Sequence, residues 1–313
     1  MIMFKQAPTI WQQIRVYLIV VVVIALVILA FDAAAQVGVR YIHQERSLYR
    51  NIVVTEDSSR RCMRFTITSR IGQNQSCRYL DRPVELVFPY AKMTLSSLLV
   101  QDNPERILIV GLGGGTLPDT YNRLFPNAEI LISEIDDAVF RVARDYFGFE
   151  ETDKIRVDVG DARVFIKRAG LRGEQYDLVI LDAFNGEYIP EHLMTVEFLE
   201  EVKKLLPPDG MVVANTFSTS RLFAAESNTY FEVFDEIYSI RLPNTGNRVV
   251  VASMQPLPDQ DTLADRAPAF QERLAQFGMD ITEFPRYMST EVTWDADERI
   301  LTDQYSPANL LNN

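Results

Sequence analysis

Short apolar runs recur through the middle of this chain at Ile107–Val110, Glu129–Ser133, Ile155–Val159, Tyr176–Leu181 and Met211–Thr216. Their length and their Val and Ile content predict strands, while the stretches between them carry apolar residues at helical spacing, as from Leu117 to Phe125. Strands that alternate with helices in this way specify a parallel sheet covered on both faces. Two later runs, Tyr238–Leu242 and Arg248–Ser253, are joined by Pro243-Asn244-Thr245-Gly246-Asn247. They predict a closing hairpin, so the final edge of the sheet is antiparallel.

Upstream of this alternation the pattern changes. Asn51–Thr55, Arg61–Thr68 and Gln75–Leu80 are strand-like and separated by polar turns such as Asp57-Ser58-Ser59, which predicts a small antiparallel β module. A helix from Pro89 to Val100 leads into the first strand of the main sheet, and a linker helix precedes the module up to about Tyr49. Residues 16–31 contain no charge, and with the extension through Ala33-Ala34-Ala35 the segment 16–35 is long enough to span roughly 30 Å of hydrocarbon. It predicts a single-pass N-terminal membrane helix. A secretory signal is the rival reading, because Lys5 and Arg15 precede the run and the three alanines resemble a cleavage site. Arg40, Arg46 and Arg50 follow the span, so positive charge on both sides leaves its orientation open. The chain then divides into an anchor and linker (1–50), a β module (51–88), an α/β domain (89–254) and a Pro- and Asp-rich tail (255–313) with one helix from Pro268 to Phe277.

Composition narrows the function classes. The 31 basic residues against 43 acidic ones give a net charge of −12, which excludes nucleic acid as the main partner because nothing balances phosphate repulsion. Cys62 and Cys77 are the only two cysteines and flank a hairpin around Gly72-Gln73-Asn74. Facing strands bring them within disulfide range, which would mean an oxidising compartment; two unpaired thiols in strands is the other reading. No metal is expected.

Open sheets bind ligands beyond the carboxyl ends of their strands, so the residues that end strands are the candidates for chemistry. The first strand runs into Gly111-Leu-Gly113-Gly114-Gly115, where bare backbone admits a nucleotide-sized ligand and the next helix presents unpaired N–H groups. A dinucleotide pattern would need glycine at Thr116, so this turn suits an adenosyl sulfonium or thioether better than NAD. The second strand ends at Glu134, spaced to accept hydrogen bonds from both hydroxyls of a ribose. Asp161, after the third, either takes an adenine amine or caps the following helix. Asp182, after the fourth, sits where a transferred group would lie. His192 is a candidate base, or else a surface or packing histidine.

In this order the residues resemble the polyamine aminopropyltransferases, the spermidine synthase family, over roughly residues 47–313. Gly111-Leu-Gly-Gly-Gly-Thr116, Glu134-Ile-Asp136, Gly160-Asp161-Ala162 and Asp182-Ala-Phe-Asn185 stand at the family's successive strand-end motifs, and Tyr90-Ala-Lys-Met93 at its Tyr-x-Glu-Met segment. Leu301-Thr302-Asp303 with Pro307 is similar to a C-terminal signature of a membrane-linked branch. The resemblance implies a Rossmann-like α/β fold of the class I S-adenosylmethionine methyltransferase type, parallel with a terminal antiparallel hairpin. It also implies a transferase whose cosubstrate is decarboxylated S-adenosylmethionine or S-adenosylmethionine itself, with a small amine as acceptor and a homodimer as the common assembly. Gly111, Gly113, Gly115, Glu134 and Asp161 would hold the nucleoside, Asp182 would deprotonate the amine, and Tyr90, Asn185 and His192 would face the acceptor.

The departures concern the acceptor. Family carboxylates are replaced by Gly114, Asn185 and Lys92, and each lost carboxylate removes a charge-assisted hydrogen bond worth about 1.5–3 kcal/mol to a polyamine. Glu187, Glu191 or Asp303 would have to compensate. Two alternatives therefore stand beside aminopropyl transfer: methyl transfer to a non-polyamine acceptor, and a membrane-anchored binding or assembly protein that keeps the fold without catalysis.

Overall fold

The structure, a computed structural model, describes residues 38–66, 74–184 and 189–307 together with Trp11 and Ile19. The described chain opens with four antiparallel strands in sequential order, β1 (Arg40–Arg46), β2 (Asn51–Glu56), β3 (Arg60–Arg64) and β4 (Asn74–Tyr79). β1 occupies the place where a linker helix is expected from the sequence. Its register with β2, from Arg40 opposite Glu56 to Arg46 opposite Asn51, satisfies its backbone through a ladder instead. Cys62 and Cys77 face each other across β3 and β4 and are joined in a disulfide, their Cα atoms 4.1 Å apart.

The single-pass membrane localisation expected from residues 16–35 is corrected here. That segment lies outside the described residues apart from Ile19, and among the described residues no helix is long and apolar enough to cross a membrane. The membrane partner assigned to it is not shown by the described residues.

Eight strands then build the main sheet: β5 (Arg106–Val110), β6 (Glu129–Glu134), β7 (Ile155–Val159), β8 (Leu178–Leu181), β9 (Met211–Phe217), β10 (Tyr238–Ile240), β11 (Asn247–Ser253) and β12 (Met288–Ser289). Their order is β12-β10-β11-β9-β8-β5-β6-β7, with β5 to β9 parallel and β11 inserted antiparallel against β9. Alternation along each strand sends neighbours to opposite faces. Ile107 and Ile109 of β5 join one core with Ile130, Ile132 and Ile180, while Leu108 and Val110 join the other with Val179, Val212 and Phe198. A third cluster seats the β module: Ile52, Val54 and Met63 pack on Val139, Val142 and Phe147 of the helix Asp137–Phe147.

The described part of the tail, residues 255–307, does not trail from the sheet as its composition suggests. Its helix is Gln260–Ala275, earlier than the sequence reading placed it, because Asp259 accepts from the N–H of Thr262 and caps it, leaving Pro268 in its interior. Leu263, Ala267, Phe270 and Leu274 bury against the first core, which offsets the hydrogen bond that proline cannot make. β12 then adds an edge strand that the sequence pattern does not announce.

Two features fix the carboxyl edge of the sheet. In the pairing of β5 with β8, Val110 lies opposite Leu181, which makes Gly111 and Asp182 neighbours. Gly111 has φ 100°, and a Cβ there would lie 2.4 Å from the Asp182 carbonyl oxygen. On the far side of β9, the fully buried Arg248 donates to Glu226 Oε2 at 2.7 Å and, through Nε, to Thr216 Oγ1 at 2.8 Å. Burial disfavours both charged forms, raising the Glu226 pKa and lowering that of Arg248. Their pairing is what keeps them ionised.

Glu226→Ala is accordingly expected to remove about 3–5 kcal/mol from the urea unfolding free energy, because it strands a buried guanidinium. Gly111→Ala combines a positive φ with a backbone collision, and its circular dichroism melt is expected to show a loss of at least ~2 kcal/mol.

Candidate functional site

A cavity of about 340 Å³ lies beyond the carboxyl ends of β5, β6, β8 and β9, roofed by the β module. The volume is in the range of small-molecule sites. Gly111 and Gly113 line its floor, and Gly113 adopts φ 55°. Gly115 does not face the cavity. It is left-handed, at φ 78°, and starts the helix Thr116–Leu124, where a Cβ would lie 2.7 Å from the ring of Phe149. Gly114 also points away: a Cβ there would meet Ser76 Oγ at 2.7 Å and the ring of Phe147 at 3.0 Å. An aspartate at that position would require the module to stand farther off.

Glu134 is buried at the end of β6 and lines the cavity. Its Oε2 accepts from the Leu112 N–H at 2.9 Å and its Oε1 from the Asp136 N–H at 3.0 Å, which leaves each oxygen with a further lone pair. Burial raises its pKa, opposed by those two N–H groups and by the nearby Arg50 cation. Asp161 takes the capping role, one of the two that the sequence left open. It lines the cavity while its Oδ1 accepts from the Val164 N–H at 3.0 Å to cap the helix Ala162–Leu171. His192 also lines the cavity, but its Nε2 lies 3.2 Å from Asp161 Oδ2. The structure thus groups His192 with Asp161 rather than with Asp182.

Asp182 is held by two neutral donors. Asn215 Nδ2 donates to its Oδ1 at 2.8 Å and the Tyr90 hydroxyl to its Oδ2 at 3.2 Å. Burial outweighs both donors and pushes its pKa up to about 7. Tyr90 is driven well above its ordinary value by burial and by the adjacent carboxylate, so it stays a donor. Asn215 is oriented in turn, because its Oδ1 accepts from Asn247 Nδ2 at 3.0 Å and only its amine can then face Asp182. Aromatic rings of Phe88, Phe184 and Phe217 complete this end of the cavity.

Asn185 lies outside the described residues. Lys92, expected to repel a cationic acceptor, does not line the cavity, because its Nζ donates to the Gly278 carbonyl. Sequence reasoning missed Asn215, although a polar residue inside the apolar run Met211-Val-Val-Ala-Asn215 was a usable signal. It also missed Arg50, for which no local signal exists. Arg50 donates through Nη1 to the Phe184 carbonyl at 3.0 Å, stacks on Phe65 at 4.3 Å and approaches Asp136 Oδ2 at 3.7 Å, so it ties the module to two strand ends. Among the described residues no His, Cys, Asp and Glu cluster has metal-binding geometry.

The comparisons with known proteins identify the family. Residues 88–238 match the model of the spermine/spermidine synthase domain. A polyamine aminopropyltransferase of Vibrio vulnificus is 50% identical over 273 residues, which cover 86% of this chain and 91% of that protein. The human eEF1A lysine and N-terminal methyltransferase is 31% identical over 140 residues, covering 40% of this chain and 20% of that protein. Among solved structures, a probable spermidine synthase from Corynebacterium glutamicum superposes with a TM-score of 0.61 at 22% identity, covering 82% of this chain and 97% of that one. The last likeness shows a shared fold, and the first relative carries more: with half its residues kept across nine-tenths of the Vibrio protein, this chain belongs to the polyamine aminopropyltransferase family and is a spermidine synthase-like transferase.

Proposed function

We propose that this protein transfers the aminopropyl group of decarboxylated S-adenosylmethionine to a small primary amine. The observation that carries the reading is the state of Asp182: a half-buried carboxylate in the cavity, gripped by Tyr90 and Asn215, with its pKa pushed up to about 7. An ammonium has no lone pair, so the acceptor must first lose a proton, and a base whose pKa lies near neutrality both takes it and later releases it to water. The amine lone pair then forms a bond to the propyl carbon while the carbon–sulfur bond breaks. Its electrons return to sulfur and neutralise the sulfonium, leaving a methylthioadenosine. Gly111 and Gly113 give the nucleoside close approach to the backbone, Glu134 accepts from the ribose hydroxyls, and Asp161 faces the adenine amine. Holding the reacting atoms in line at this distance supplies the entropic part of the rate enhancement.

A second reading is favoured by one observation. Arg50 places a guanidinium in the same cavity whose glycine turn contains no carboxylate. That charge pattern suits the carboxylate of S-adenosylmethionine, and with it methyl transfer.

Asp182→Asn is expected to lower kcat by about 10²–10⁴-fold in an assay of methylthioadenosine release, with the fold unchanged by circular dichroism. Full retention of turnover would remove Asp182 from the mechanism. In the wild type the base works deprotonated, so kcat/KM should rise with pH and level off above a midpoint near 7. Calorimetric titration separates the two cosubstrates. Tighter binding of the decarboxylated sulfonium supports aminopropyl transfer; tighter binding of S-adenosylmethionine, with the preference abolished in Arg50→Gln, supports methyl transfer, and binding of neither sinks both.

A further inference from the structure

The turn Thr302–Tyr305, far along the chain from every strand end, reaches the adenine side of the cavity through a single arginine. Arg163 follows the cap residue Asp161 by two positions and is almost fully buried. Its guanidinium has five N–H groups, and each has an acceptor. Nε donates to Glu201 Oε2 at 2.9 Å and Nη2 to Glu201 Oε1 at 3.0 Å. Nη1 donates to Asp303 Oδ1 at 2.6 Å and Nη2 to Asp303 Oδ2 at 2.8 Å. The remaining Nη1 hydrogen goes to the carbonyl of His192 at 3.2 Å. One side chain therefore joins the two cavity walls, Gly160–Ala162 and Pro190–Leu193, and one of the two acids that orient it, Asp303, comes from the C-terminal segment.

That segment is itself anchored to the second wall. Thr195 Oγ1 donates to Asp303 Oδ1 at 2.7 Å, the Val196 N–H to the Leu301 carbonyl at 2.9 Å, and Ser306 Oγ to the Glu191 carbonyl at 3.0 Å. Leu301 is fully buried against Met194, Leu222 and Ala225. The apolar contact accounts for stability. It does not account for a carboxylate that is half exposed and yet aligned with both Nη atoms of a buried guanidinium behind the site.

We infer that Asp303 is a positioning residue for the nucleoside: acting through Arg163, it sets the spacing of the two walls that carry Asp161 and His192. The inference rests on the reading that adenosine lies in this cavity. Asp303 touches no substrate and takes no part in proton transfer. Its removal should therefore weaken sulfonium binding and leave the chemistry at Asp182 alone.

The test is steady-state kinetics of the full-length protein carrying Asp303→Asn, with decarboxylated S-adenosylmethionine and a diamine as the two substrates and a thermal melt alongside. The expected result is a KM for the sulfonium raised about tenfold, with kcat and the acceptor KM within about twofold of wild type. An unchanged sulfonium KM overturns the inference, and so does a parallel loss of kcat, both KM values and melting temperature, which would mark a purely structural role. Should Asp303→Asn fail to fold, Thr195→Val carries the test, with a sulfonium KM raised about threefold for the inference and none against it. Calorimetry on the wild type keeps the two failures apart, since a wild type that binds no sulfonium sinks the functional reading, whereas one that binds it as tightly as the variant sinks only the clamp.

Discussion

The contact between Gly111 and the backbone of Asp182 is the constraint around which the site is built. Neighbouring parallel strands bring their carboxyl ends together at the spacing of the sheet, and here the two chains cross with no room for a side chain between them. The Gly111 N–H bonds to the Ser133 carbonyl at 2.8 Å and the Asp182 N–H to the Val110 carbonyl at 2.9 Å, so three strand ends are fixed by backbone alone. A floor made of backbone cannot relax by changing rotamer. Glu134 and Asp182, which stand on it, inherit that rigidity.

Electrostatics then separates the roles of the buried acids. Glu226 has a full cationic partner in Arg248 and belongs to the scaffold. Glu134 faces two backbone N–H groups and a more distant guanidinium, which oppose the burial that raises its pKa. Asp182 has only the neutral donors Asn215 and Tyr90, which do not offset the burial that pushes its pKa up to about 7. The three differ in their partners.

Parts of the chain remote from one another close the cavity. Arg50 arrives from the β module, Asn247 from the strand inserted beside β9, and Asp303 from the C-terminal turn. Each acts through backbone carbonyls or through a second side chain, and each depends on packing that holds its own element: the third apolar cluster for the module, the Arg248 pair for β11, and Leu301 for the turn. The disulfide between Cys62 and Cys77 adjoins Ser76, which itself lines the cavity. The small module is therefore fastened at the point where it meets the site.

What the sequence determined by itself was local. Apolar runs bounded by glycine and acid gave the five parallel strands, and the residues ending them, Gly111, Glu134, Asp161 and Asp182, had to share one edge because parallel strands all point the same way. It misjudged elements whose stability is not local. β1 was expected as helix because a lone edge strand carries little periodicity, the helix at Gln260 was started late because Pro268 reads as a beginning, and the apolar segment 16–35 gave a membrane localisation that the described residues do not support. Only the tertiary structure decided which side chain meets which: that His192 turns to Asp161, that Lys92 turns out to Gly278, and that Asn215, Asn247 and Arg50 enter at all. The physical reason is that a period along the chain fixes the face of an element, whereas the partner on that face is fixed by packing between segments that no local pattern connects.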